Sequence, residues 1–190
     1  MDKNDLLDQF VSTFPKFDDM SATRELNPVA WDLRINEPGQ WGRFKWRPAR
    51  VTTNPSFLDA IYEKIPSRFA RLYEHLVLSY RWDTVYLDSF KLLPNPPGPD
   101  LSGLLAGITA DKALWENLVP AGYVQFGQGP DVDYDPVCFD IKSRTKNGDY
   151  RIVKIDHEQI LCYDRVKVVA ELSPSFEQLV RQTIERAKSR

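Results

Sequence analysis

Asp156-His157-Glu158 sets an imidazole between two carboxylates, the side chains that move protons near neutral pH or hold a metal ion. A zinc site draws three or four ligands from His, Cys and carboxylates. The only other histidine, His75, falls on the polar side of its expected helix, away from Phe69, Leu72, Tyr73 and Leu76. Two histidines on unrelated faces argue against a metal centre. The expected strand alternation puts His157 on the face of Val153 and Ile155, so its plainer role is a hydrogen-bonded, partly buried position at the end of a core strand. A hydrolase using Asp156, His157 and Glu158 is the catalytic alternative. No cofactor is called for. There is no GxxxxGK loop and no GxSxG elbow, and Gly122, Gly127 and Gly129 do not form a dinucleotide fingerprint. Cys138 and Cys162 belong to no CxxC pair and read as two free thiols of a reducing compartment.

Asp131, Asp133 and Asp135 form a D-x-D-x-D run like the start of a calcium loop. An EF-hand then needs Gly at its sixth position and Glu at its twelfth, where Pro136 and Lys142 stand, so the motif fails. What remains is a solvated acidic loop, or a contact surface of Asp131, Asp133, Tyr134 and Asp135 that steers a basic partner. Trp41, Arg43, Phe44, Lys45, Trp46 and Arg47 interleave cations with aromatics. Stacking on single-stranded nucleic acid uses such a pattern. The plainer account is an amphipathic strand with Phe44 and Trp46 inward and the cations in water. The net charge of −2 favours that account, because binding phosphates needs a basic surface.

These residues have to be positioned by a fold. A chain of 190 residues suits one domain and buries a core without disulfides or metals. Residues 1–50 are broken by Pro15, Pro28, Pro38 and Gly39 and read as an extended arm, with a short helix at Leu6–Val11, lying on a main domain of residues 51–190. Asn54-Pro55 starts a helix carrying Leu58, Ile61, Tyr62 and Ile65. Pro66 ends it and begins a second with Phe69, Leu72, Tyr73 and Leu76. Strands follow at Val85–Leu87, Tyr123–Phe126, Val137–Ile141 and Val166–Val169, with Thr109 capping a helix that carries Leu114, Trp115 and Leu118 between them. Asn147-Gly148 marks a hairpin. A three-residue loop, Lys146-Asn147-Gly148 with Gly148 left-handed, pairs Ile141 with Val153 and Phe139 with Ile155 and keeps one face apolar. Ser173-Pro174 starts a last helix with Phe176, Leu179, Val180 and Ile184 on one side. Helices, an antiparallel sheet, then a helix make the class α+β. The N-terminus lacks the basic and apolar regions of a secretory signal, and no run is long enough to span a membrane, which predicts a cytoplasmic protein without membrane contacts.

The run from Leu58 through Ile65-Pro66 to Leu72-Tyr73 resembles the opening of the SUKH superfamily, in its Smi/Knr-like branch. The resemblance continues through Gly122–Gly127, Asp135–Asp140 and Ile152–Glu158 and closes with the helix of Phe176 and Leu179, covering residues 50–182. Tyr80-Arg81-Trp82-Asp83 stands where that family has an Asn-Gly-Gly-type turn. The resemblance implies a bent antiparallel sheet flanked by helices and a protein-binding role without catalytic residues. In bacteria that role is an immunity protein neutralising a cognate toxin; in eukaryotes it is a regulatory scaffold.

Overall fold

The computed structural model describes residues 2–25, 28–130 and 132–190. The first fifty residues hold helices rather than extended chain: α1 (Lys3–Ser12), α2 (Phe14–Phe17) and α3 (Pro28–Asp32). They also hold the antiparallel pair β1 (Ser21–Thr23) and β2 (Arg43–Lys45), followed by β3 (Ala49–Arg50). Next come α4 (Asp59–Tyr62), α5 (Arg71–Ser79), β4 (Tyr80–Arg81), β5 (Val85–Leu87) and β6 (Phe90–Leu92). Two helices, α6 (Ser102–Ile108) and α7 (Lys112–Leu118), lead into β7 (Tyr123–Gln128), β8 (Pro136–Asp140) and β9 (Arg151–Ile155). The chain closes with α8 (His157–Tyr163), β10 (Val168–Ser173) and α9 (Phe176–Lys188). The class is α+β. The central sheet has six antiparallel strands in the order β10-β9-β8-β7-β6-β5. Register shifts lie in the β7–β8 and β9–β10 pairings, the irregularities that bend strands.

Both faces of this sheet are covered. On one, Phe126, Phe139 and Ile152 pack with Leu76, Phe176 and Val180 in a cluster that also takes in Leu6, Leu7, Phe10 and Phe14 of the N-terminal helices. Phe126 and Phe139 stack at 4.3 Å; the Phe176 ring meets both edge-on, and the Tyr73 ring meets Phe139 edge-on and Phe126 at a tilt. On the other, Cys138, Val153 and Ile155 meet Leu114, Leu118 and Ile160 of α7 and α8.

Two-sided burial corrects the expected hairpin register. Phe139 pairs with Ile152 and Cys138 with Val153, each pair apolar on its own face, while Asp140 faces Arg151 with an ion pair of 2.5 Å. The connection is therefore not three residues. It includes a 3-10 turn at Ile141–Ser143 and a tight turn in which Gly148 N–H donates to the Thr145 carbonyl at 3.0 Å. Gly148 does adopt the left-handed conformation, with φ of 73°.

Helix starts differ from the expected ones by a few residues. The apolar stripe of Leu58, Ile61 and Ile65 is buried, but a 3-10 turn at Pro55–Leu58 precedes α4. The second helix begins at Arg71, not at Pro66. Asp111, not Thr109, caps α7 through the Leu114 N–H, and Ser175 caps α9. Past α5, the buried Asn95 of the proline-rich loop donates to the Val77 and Tyr80 carbonyls at 2.9 and 2.7 Å, closing that helix end.

Candidate functional site

The acidic loop and the histidine meet in space. Asp156 does not end a strand facing the core. Its carboxylate caps α8 by accepting from the Gln159 N–H at 3.0 Å, so the chain turns into a helix with His157 as its first residue. This corrects the core-strand position expected for His157. The imidazole is half-buried and directed at the loop: Nδ1 lies 2.8 Å from Asp135 Oδ1, which also accepts the His157 backbone N–H at 2.9 Å. With Nδ1 against a carboxylate, the proton belongs on Nδ1 and Nε2 is left as an acceptor.

Lys154, on β9, completes the cluster. Its Nζ lies 2.8 Å from Asp133 Oδ2 and 3.7 Å from Asp135 Oδ2. Burial pushes the Asp133 carboxyl up. The hydrogen bonds from Lys154 and from the Asp135 N–H, with the nearby positive charge, outweigh that and hold it below its ordinary value. The bond to Asp133, working against partial burial, holds the Lys154 ammonium above its ordinary value. Gly129 leaves room for this arrangement, since a Cβ there would fall 2.2 Å from Asp133 Cγ. Asp133 and Asp135 are thus internal struts of the loop, and Lys154 matches one of their two charges. Asp131 lies outside the described residues.

The outward-facing part of the loop is apolar. Val132 is 83% exposed and Tyr134 55%, and the Tyr134 ring meets the His157 ring near edge-on at 5.9 Å. One helical turn beyond His157, Leu161 is 53% exposed, and Tyr163 ends α8 at 62%. Asp164, in the left-handed conformation, turns the chain out of α8, and the Asp156 N–H donates to the Lys167 carbonyl at 2.9 Å. That bond brings Val168 and Val169, both exposed, beside the start of α8 on the terminal strand of the sheet. Leu161 and Tyr163 carry no periodic signal in the sequence, and Val168 and Val169 read there only as part of a strand. The Asp156-x-x-Gln159 pattern, close to a capping box, is the feature that announces their helix.

The other sequence candidates fall elsewhere. Glu158 is exposed and Asp156 is engaged as a cap, so Asp135, not the flanking carboxylates, orients His157. His75 faces Asn4, with Nε2 2.7 Å from Oδ1. Phe44 and Trp46 are buried while Arg43, Lys45 and Arg47 are exposed. Trp41 stands out alone at the tip of a turn, with φ of 62°. Among the described residues no group of three or more His, Cys, Asp or Glu is placed to hold a metal ion, and no helix is long and apolar enough to cross a membrane. No protein-family model matches the chain, and no curated protein matches it.

Proposed function

We propose that this chain is a protein-binding module and, on its resemblance to the SUKH superfamily, an immunity protein that occupies a cognate toxin. One observation carries the reading. Of the ten large hydrophobic side chains exposed among the described residues, six lie on three segments that meet beside Asp156 and His157: the Tyr134 loop, α8 and the start of β10. Grouped apolar exposure marks interaction surfaces, whereas single exposed residues are ordinary. Aromatic side chains at the centre of such a surface supply most of the binding energy. The Asp133–Lys154–Asp135–His157 cluster holds the Tyr134 loop against α8, so the surface is presented in one conformation.

The test is isolation of the tagged protein from cells that make it, beside a Tyr134→Ser/Leu161→Ser/Tyr163→Ser variant. The reading predicts one stoichiometric partner bound by the parent protein and lost from the variant, with both melting alike. Equal recovery with the variant would remove this surface from the proposal. Several partners held loosely would favour the regulatory scaffold. The Asp135–His157 contact supports a second reading, a hydrolase in which His157 Nε2 accepts a proton. It predicts turnover that His157→Ala abolishes while the fold survives, read by an activity assay beside a melting curve.

A further inference from the structure

Two adjacent cavities, of about 670 and 380 Å³, lie on another side of the molecule, where α1, α5, the Arg144–Asp149 turn and the start of α9 meet. They share Lys3 and Arg71 in their walls. Five cations line them. Arg68 is paired with Glu74 at 3.1 Å and Arg181 with Glu177 at 2.6 Å. Lys3, Arg71 and Arg144 make no side-chain ion pair or hydrogen bond among the described residues. The one further carboxylate that lines the cavities, Asp149, accepts the Phe176 and Glu177 N–H groups at 3.0 and 3.1 Å and so belongs to the α9 start.

The position of Arg71 is unfavourable by itself. Arg71 is the first residue of α5, whose N-cap is Ala70 with no side-chain cap. The positive end of a helix dipole disfavours a cation there and favours an anion. Arg71 lies over the Gly148 turn, where a Cβ would approach its Nε to 3.1 Å, so its guanidinium sits at the boundary of the two cavities. Thr145 Oγ1 accepts the Asp149 N–H at 3.1 Å and keeps its proton to donate, and the Asn147 amide lines the same wall. Guanidinium groups match oxyanions through paired N–H donors. Three unmatched positive charges suit a ligand carrying two or three negative ones.

We infer that this groove binds the phosphate groups of a small polyanion, inorganic diphosphate or a nucleoside diphosphate, between Lys3, Arg71 and Arg144. The site is separate from the Tyr134 surface and does not depend on the function proposed for it.

Calorimetric titration of the full chain with inorganic diphosphate, against sodium chloride matched in ionic strength, tests the inference. Saturable one-to-one binding is expected, weakened at least about tenfold in Arg71→Gln/Arg144→Gln; a tenfold change is the loss of one good charge-assisted contact. Binding that is absent, that chloride reproduces, or that the folded double variant retains would overturn it. Lys3→Gln, on an exposed first helical turn, supplies an independent variant with the same expected direction should the double variant not fold. ADP binding more tightly than diphosphate assigns the phosphate to a nucleotide, and equal affinities assign it to the free ion. Adenosine binding as well as ADP would overturn the phosphate assignment.

Discussion

Replacing Lys154 by methionine keeps a straight apolar stem beside Val137 and removes the charge that bridges Asp133 and Asp135. A hydrogen bond to a charged group contributes about 1.5–3 kcal/mol. Lys154 and Asp133 are 25% and 31% exposed, so water takes over part of that, leaving about 1–2 kcal/mol. For a chain of this size that lowers Tm by about 3–6 °C. The pH dependence is the sharper reading. The Asp133 carboxyl is depressed in the folded state, so its contribution is present above the unfolded value of about 4 and lost as pH falls through the lower folded value. The Lys154 ammonium is raised, so its contribution is present below about pH 10 and lost as pH rises through the higher folded value. Urea denaturation of both proteins at pH 7, 4.5 and 3 should show the full gap at pH 7 and a shrinking one by pH 3. A gap that stays constant over that range, or no gap at pH 7, would refute the ion-pair account of the loop.

Cys162 is exposed and Cys138 is buried, with burial pushing its thiol well up, so a thiol reagent should modify one cysteine at once and the second only on unfolding. Fast modification of both would place Cys138 outside the core. Asp156→Ala removes the α8 cap and should cost about 1 kcal/mol in equilibrium unfolding. A loss within error would mean the cap is replaced by water. Asn95→Ala leaves the Val77 and Tyr80 carbonyls without the amide that meets them in the interior and should cost about 2–3 kcal/mol, read by the same unfolding assay. A change below about 0.5 kcal/mol would show that Arg81, which also donates to both carbonyls, is sufficient.

Much of the fold was legible where one apolar stripe faces one core. Leu72, Tyr73 and Leu76, and Phe176, Leu179, Val180 and Ile184, marked α5 and α9 because each helix buries a single face. The β8–β9 register was not legible, because a strand covered on both sides no longer demands that polar residues share a face, as Cys138 and Phe139 show. α8 was hidden for the opposite reason: only Ile160 of its seven residues is buried, so no period signals a helix. At the site, Asp133, Tyr134 and Asp135 were legible as a loop of interest. Their roles were not, since they depend on Lys154 and His157, about twenty residues away in the chain and brought near only by the sheet.

The most direct test of the binding surface is photo-cross-linking with p-benzoylphenylalanine placed at position 134 and, separately, at position 41, in cells that make the protein. The account predicts one protein adduct of defined mass from position 134 and none in common from position 41. An adduct formed from position 41 alone would contradict it and move the binding surface to the Trp41 turn.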